Sequence, residues 1–167
     1  MATSLHPIAI VMKSSGLDGN VCLKPLSRYF DEYIEGKRLA LGFNEKHSSL
    51  INLELIMGMG KKRRFKFKEV DSVDKAQKIV GQTLFVEASV DDNINMISKQ
   101  LLNYMIVTEE GKNVGKLKDV MWLPNNDAYV ISNSGKEILI PIIPEVIKVL
   151  DHDNKRILIA PMDGLLD

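Results

Sequence analysis

Short segments in which apolar and polar residues alternate follow one another along most of this chain. An alternating segment predicts a strand with one buried face, because successive side chains of a strand point to opposite sides. In the segment 51–57 apolar residues occupy every second position, which places Leu55 on the predicted buried face. In the segment 64–68 the rings of Phe65 and Phe67 alternate with basic side chains, so we expect both rings to face a core.

The other predicted strands are short apolar or β-branched runs separated by turns. They cover 8–12, 21–23, 38–41, 83–86, 104–108, 114–121, 128–131, 137–140, 146–150 and 156–159. One helix is predicted over 71–81, because this segment has a capping residue at its start, acids in its first turn and a glycine at its end. Val73, Ala76 and Val80 should share a face of that helix. Short strands at even spacing indicate small β-barrels.

The composition is that of a folded protein with balanced charge. The chain has 167 residues, of which 45% are hydrophobic, and its 22 basic and 22 acidic side chains give a formal net charge of zero. This length is typical of one domain or of two small ones. Zero net charge disfavours a protein that simply coats nucleic acid, but it leaves room for a local basic patch.

The sequence shows no membrane span, secretory signal or disulfide. Apolar runs such as 138–143 are much shorter than the ~18 residues that indicate a membrane span. The first residues lack the basic and apolar regions of a secretory signal. Cys22 is the single cysteine, so no internal disulfide can form. We therefore expect a cytoplasmic protein in a reducing compartment, without a membrane partner.

One concentrated positive segment is hidden in the neutral total. Six of the eight residues 61–68 are basic, and we call this segment the basic tract. Its basic side chains are Lys61, Lys62, Arg63, Arg64, Lys66 and Lys68. One interpretation is a solvated hairpin end whose charges prevent edge-to-edge aggregation. The other is contact with RNA phosphates, which lysine and arginine make without sequence specificity. The residues alone leave both interpretations open.

Residues typical of catalytic or metal sites do not cluster in the sequence. His6, His47 and His152 are isolated from one another, which disfavours a zinc site. Gly16 and Gly19 frame a turn that lacks the Gly-Lys-Ser/Thr ending of a phosphate loop. We interpret them as turn residues that adopt positive φ, with phosphate binding as the alternative. The sequence therefore offers no catalytic residue, metal ligand or cofactor.

Four apolar residues are candidates for contact with a protein partner. Trp122 and Leu123 lie beside the turn 124–127, where partial exposure is plausible, and exposed tryptophan is enriched at binding hot spots. The alternative for Trp122 is a core position. Met96 and Ile97 follow a polar stretch, and we interpret them as core residues between two barrels or as a contact patch.

Several segments together form a recognisable pattern. In the C-terminal half they are 115–120, 126–131, 136–147 and 163–166. These segments strongly resemble the PRC-barrel half of the RimM family of ribosome maturation factors. In the N-terminal half the corresponding segments are 9–11, 16–21, 67–71 and 81–86, together with Ala76. They are similar to the first domain of the same family, so the resemblance covers nearly the whole chain.

The resemblance implies an all-β protein made of two small β-barrels with one or two short helices. An N-terminal barrel like those of translation factors would occupy 1–90, a linker 91–97 and a PRC-barrel 98–167. The family is not enzymatic, and the resemblance implies no cofactor.

The resemblance also implies a place in ribosome assembly. It implies action in late assembly of the head of the small (30S) ribosomal subunit, with a precursor of that subunit as the partner. It further implies binding of the small-subunit ribosomal protein S19 and assistance to 16S rRNA processing, by a monomer in the cytoplasm. The alternatives are a general RNA-binding β-barrel protein without an assembly role, which would need several exposed aromatic rings for base stacking, and an enzyme.

Overall fold

The computed structural model describes residues 3–161, with Thr3 described by its backbone alone. The segment 163–166, which contributes to the resemblance, lies outside these residues. The chain divides into two units, Met1–Asp92 and Asn93–Asp167. The strands of the first unit are β1 (Thr3–Ser15), β2 (Asn20–Pro25), β3 (Leu39–Gly42), β4 (Ser48–Ile51), β5 (Leu53–Met57), β6 (Arg64–Phe67) and β7 (Thr83–Ser89). Those of the second are β8 (Met105–Thr108), β9 (Asn113–Met121), β10 (Ala128–Asn133), β11 (Lys136–Pro141), β12 (Ile147–Asp151) and β13 (Arg156–Ile159).

The first unit is a single antiparallel sheet wrapped around an apolar core. Its seven strands lie in the order β4-β3-β7-β1-β2-β6-β5. The long strand β1 pairs with β2 on one side and with β7 on the other, and a bulge interrupts each pairing. A bulge bends and twists its strand, which allows one strand to serve both neighbours of a strongly curved sheet. The core residues include Ile8, Val21, Phe65, Phe67, Leu84 and Val86.

The second unit is a six-stranded sheet with its own core. The strand order is β11-β10-β9-β8-β13-β12, and among the described strand pairs of this sheet only β8 and β13 are parallel. The buried cluster consists of Leu101, Tyr104, Ile106, Val114, Leu117, Tyr129, Ile131, Ile140, Val146, Ile147, Ile157 and Ile159. These two sheets, with two short α-helices among the described residues, confirm the predicted all-β fold class.

The helix predicted over 71–81 is present, and a second helix, whose position was not predicted, agrees with the one or two short helices that the resemblance implies. Helix α2 (Val73–Lys78) begins as expected, because the hydroxyl of Ser72 accepts a hydrogen bond of 3.2 Å from the backbone N–H of Lys75. Ala76 is buried, but the prediction for Val80 was wrong, because the helix ends before it and its side chain is exposed. Helix α1 (Tyr29–Tyr33) has five residues, which is too short for a periodic pattern.

The segment 51–57 differs from its prediction as one regular strand. Its residues are divided between β4 and β5, and Leu55 is 52% exposed rather than buried. The reason is a bulge in the pairing of β5 with β6, where Leu53 pairs with Phe67 and Leu55 already pairs with Lys66. An extra residue reverses the alternation of faces beyond it. Phe65 and Phe67, in contrast, are buried as predicted.

The segment 91–97, predicted as a linker, contains secondary structure. A 3-10 helix spans Asn93–Ile97, immediately after the boundary between the two units. The hydroxyl of Tyr129 donates a hydrogen bond of 2.6 Å to the backbone carbonyl of Met96. This bond ties the 3-10 helix to the sheet of the second unit.

Candidate functional site

The basic tract occupies a hairpin end and one face of β6. A 3-10 helix, Gly60–Lys62, presents the first two lysines, and β6 continues from Arg64. Alternation along β6 turns Phe65 and Phe67 into the core, so Arg64 and Lys66 point to the opposite face. The same alternation that anchors the strand therefore places its cations on the outside.

Arg63 is engaged within the protein. Its guanidinium donates a hydrogen bond of 2.7 Å to Asp31, and it lies 5.4 Å and 5.6 Å from the ring centroids of Phe30 and Phe65. The side chain is only 29% exposed. A cation held over aromatic rings and paired with a carboxylate is stabilising. Arg63 therefore connects α1 to β6, and we assign it a structural role.

Lys66 is also engaged within the first unit. Its ammonium donates a hydrogen bond of 2.8 Å to the backbone carbonyl of Phe67 and lies 3.5 Å from the carboxylate of Glu54. The side chain is only 16% exposed. Lys66 is therefore poorly placed to reach a phosphate.

The remaining four cations of the basic tract are exposed. Lys61, Lys62, Arg64 and Lys68 all have exposed side chains. Within residues 3–161, none of these four forms an ion pair or a side-chain hydrogen bond. Cations without an internal partner can bind phosphate oxygens without first breaking another contact. The structure thus divides the tract into two structural and four available cations.

Gly16 and Gly19 form the turn between β1 and β2. Their φ angles are +75° and +93°, in the left-handed region that favours glycine. A Cβ atom on Gly19 would lie 2.3 Å from the backbone carbonyl oxygen of Val70, whereas one on Gly16 would meet no atom within 4 Å. Backbone conformation and close packing account for Gly19 without a bound phosphate.

Three exposed apolar residues lie in β9, directly after it, and in β11 of the second sheet. Met121 pairs with Ala128, which pairs with Pro141, and Leu139 occupies the same face next to Pro141. Met121 and Leu139 are exposed, and Trp122, which follows β9 directly, is 51% exposed. We call Met121, Trp122 and Leu139 the apolar strip. Ala128, which lies between Met121 and Pro141, is buried, so the strip is three exposed apolar side chains and not one continuous patch. Among them, exposed tryptophan is a residue type enriched at contact surfaces.

The other predicted protein-contact residues lie differently. Leu123, Met96 and Ile97 are half-buried, and Met96 packs against the core cluster of the second unit. Sequence reasoning missed Met121 and Leu139, because strand pairing alone brings them to one face. Their signal in the sequence was weak, since both belong to predicted strands in which an apolar residue is expected to be buried.

The three histidines are separate in the structure as well. Nε2 of His6 lies 2.9 Å from the hydroxyl of Ser4, and Nδ1 of His152 is hydrogen-bonded to the hydroxyl of Tyr104 at 3.0 Å. His47 is exposed on the turn after β3. Between residues 3 and 161, no group of three histidine, cysteine or acidic residues is arranged to hold a metal ion. No helix in this range is long and apolar enough to cross a membrane.

Two protein-family models match the chain in sequence order. The RimM N-terminal domain matches residues 7–91, and the RimM PRC barrel domain matches residues 98–165. The "Ribosome maturation factor RimM" of Thermoanaerobacter sp. (strain X514) is 30% identical over 164 residues, covering 96% of this chain and 98% of that protein. That of Syntrophobacter fumaroxidans is 29% identical over 171 residues, covering 98% and 94%.

A solved structure described as a putative 16S ribosomal RNA processing protein RimM from Pseudomonas aeruginosa is 16% identical. It covers 95% of this chain and 98% of its own, with a TM-score of 0.45, which is too low to support an argument. With both RimM domains present in order over nearly its whole length, the chain belongs to the RimM family.

Proposed function

We propose that this member of a non-enzymatic family of ribosome maturation factors acts late in assembly of the head of the small (30S) ribosomal subunit and assists 16S rRNA processing. The family assignment supports the maturation role. The observation that carries the proposal is that the protein offers two different surfaces, one cationic on the first unit and one apolar on the second. A factor that meets a ribonucleoprotein needs one surface for RNA and another for protein.

The cationic surface is proposed to contact ribosomal RNA. Its members are the four available cations of the basic tract, Lys61, Lys62, Arg64 and Lys68. Their exposure and their lack of partners in the described chain support this role. Phosphate contacts position a protein without reading sequence, which suits a few contacts on a folded RNA.

The apolar strip is proposed to contact the ribosomal protein S19. Trp122 is the largest exposed side chain of the strip, and exposed tryptophan is the residue type most enriched at hot spots. A strip of three residues suits a small, reversible contact rather than a permanent one. We place the protein in the cytoplasm as a monomer that binds a precursor of the small subunit.

The proposed mechanism is differential binding. A factor that binds one conformation of the subunit head more tightly than the others raises the population of that conformation. It leaves when mature contacts replace its own, which requires modest affinity. Two small surfaces with four available cations meet this requirement better than one extensive basic face would.

A general single-stranded RNA-binding role is less well supported. Such proteins stack successive bases on several exposed aromatic rings. Of the aromatic residues in the described range, only Phe43 and Trp122 are exposed, and they belong to different units. The described part of each unit therefore has no continuous stacking platform.

Depletion of the protein in its host tests the proposed function. We expect free small subunits to accumulate relative to complete ribosomes, together with 16S rRNA that retains unprocessed ends. Ribosome profiles in sucrose gradients and mapping of the rRNA ends measure both effects. Restoring the wild-type chain should reverse them, and normal profiles with fully processed ends after depletion would contradict the proposal.

Substitution of Trp122→Ala should weaken binding of purified S19 by about 30-fold, which corresponds to the ~2 kcal/mol of a hot-spot residue. Fluorescence anisotropy with labelled S19 measures this change. Val149→Ala serves as the matched control, because Val149 is an exposed apolar residue of β12 in the same unit and lies outside the strip. An equal loss for both variants, or no loss for either, would refute the role of the apolar strip.

A further inference from the structure

A cleft in the first unit lies at the end of the basic tract. It has a volume of about 320 Å³ and is bordered by the segment after α1, by the corner between β4 and β5, and by Lys68. Pockets that hold small ligands start at about 300 Å³, so this cleft has room for one small group such as a nucleotide unit and not for a longer segment.

The walls of the cleft combine apolar and cationic side chains. Ile34 is buried at the base, Leu53 is half-buried, and Leu50 is 63% exposed although it borders the cleft. The lining cations are Lys37, Arg38 and Lys68, and the lining acid is Glu35. The carboxylates of Asp92, Glu87 and Glu69 lie near these three cations in turn. An apolar surface with positive charge at its edge matches a group that is flat and apolar on one side and anionic on the other.

The cations differ in their availability. Lys37 donates hydrogen bonds of 2.9 Å and 2.8 Å to the two carboxylate oxygens of Asp92. Hydrogen bonding by Lys37 makes the largest contribution to holding the pKa of the Asp92 carboxyl below its ordinary value. Arg38 forms a long ion pair of 3.9 Å with Glu87, and its side chain remains 68% exposed. Lys37 therefore stabilises the wall, while Arg38 and Lys68 can bind an anion.

The opposite wall is held in place by side-chain and backbone hydrogen bonds. The backbone N–H and the side-chain amide of Asn52 donate bonds of 2.8 Å and 2.7 Å to the two carboxylate oxygens of Glu69. The backbone N–H of Lys68 donates a bond of 2.9 Å to the carbonyl of Asn52. The cleft is therefore formed before any ligand binds, which lowers the entropic cost of binding.

We propose that this cleft receives one unpaired nucleotide of RNA, with its phosphate against Arg38 and Lys68 and its base against Leu50 and Leu53. The inference rests on the proposed RNA contact of the basic tract and extends it. A strand bound along the tract would reach the cleft at Lys68, the last residue of the tract. RNA-binding proteins commonly read unpaired bases by splaying them onto side chains, which a base in a duplex does not permit.

Binding of two RNA probes tests the inference. The probes are a fluorescein-labelled 12-nucleotide oligouridylate and a labelled duplex of 12 base pairs. Arg38→Gln should lower the affinity for the single strand about fivefold and reduce its salt slope by about 0.7, the value for one phosphate contact on a single strand. Leu50→Ser should lower the same affinity about fivefold without changing the slope. Duplex binding should change less than twofold in both variants.

The controls are a lysine and a leucine of the same unit that lie away from the cleft. Lys46→Gln removes one charge and Leu17→Ser one exposed leucine, and neither residue borders the cleft. Both should leave single-strand affinity within twofold of the wild type. Circular dichroism verifies that every variant keeps its secondary structure.

The outcomes separate this inference from the proposed function. Suppose that neutralising Lys61, Lys62 and Arg64 weakens both probes while the cleft variants weaken neither. The nucleotide site is then wrong and the RNA contact of the tract stands. If the cleft variants weaken both probes equally, the cleft does not select an unpaired nucleotide and the nucleotide site is wrong. If no variant weakens either probe, the RNA contact of the tract is wrong and the nucleotide site fails with it.

Discussion

Replacing Lys61, Lys62 and Arg64 with glutamine is expected to weaken association with immature small subunits by roughly 30-fold at physiological salt. The three side chains are exposed and form no ion pair within residues 3–161, so their charge is available to RNA phosphates. Each lost phosphate contact lowers the slope of log affinity against log salt by about 0.7 to 0.9. The slope should therefore fall by about 2 to 3. Filter binding of labelled precursor subunits over a range of salt concentrations measures both quantities.

A second triple variant isolates the effect of position from that of net charge. Lys24, Lys46 and Lys78 are exposed residues of the same unit outside the basic tract. Their replacement with glutamine removes the same three charges and should change the slope by less than 0.5, because effects at a distance are screened beyond about 8 Å. Equal slopes for the two triple variants would show that only net charge matters. Thermal unfolding should be unchanged in both, because no described contact is lost.

The substitution Gly19→Ala is expected to destabilise the first unit by about 3 to 4 kcal/mol. Positive φ at a residue with a side chain costs about 1 to 2 kcal/mol. The added Cβ atom would also lie 2.3 Å from the carbonyl oxygen of Val70, and this neighbour is backbone, which cannot rotate away. The turn or the segment after β6 must therefore shift, and large losses of this kind come from backbone strain.

Gly16→Ala is the matched control in the same turn. It has a similar positive φ but no atom within 4 Å of the added Cβ, so we expect a loss of about 1 kcal/mol. Amide hydrogen exchange of residues in β1 and β7 measures the stability of the first unit separately from the second, because the slowest amides report global opening. A loss for Gly19→Ala no larger than that for Gly16→Ala would contradict the close-packing explanation. If Gly19→Ala is destabilised while its slope of log RNA affinity against log salt is unchanged, phosphate binding by this turn is also disfavoured.

Structural features that depend only on residues close together in the sequence could be predicted from the sequence. The cap at Ser72 and the burial of Phe65 and Phe67 follow from capping and alternation, which act over two to four residues. The exposure of Leu55 was not predictable, since it results from a bulge that exists only in the pairing of β5 with β6. Helix α1 was missed because burial of Phe30 and Tyr33 against the sheet supports a helix too short to stand alone.

The sequence showed which residues make up the basic tract, but it did not show which of them are engaged by other side chains. Six cations in eight residues left two interpretations open, a solvated hairpin end or a phosphate-binding surface, and the availability of each cation depends on partners far away in the sequence. Arg63 is engaged by Asp31, 32 residues earlier, and Lys66 lies against Glu54 of the neighbouring strand. The cleft beside Lys68 likewise forms from segments that are not adjacent in the chain.

By itself, the sequence determined that this protein is built of short strands, that it carries one positive tract, and that it belongs with the RimM family. These properties depend on short stretches of sequence or on several such stretches in order, so they can be identified without knowing which residues are in contact. Only the tertiary structure decided which cations remain available and which apolar residues form the exposed strip of Met121, Trp122 and Leu139. The physical reason is that partners and neighbours are set by strand pairing, and pairing joins residues whose separation along the chain carries no signal of its own.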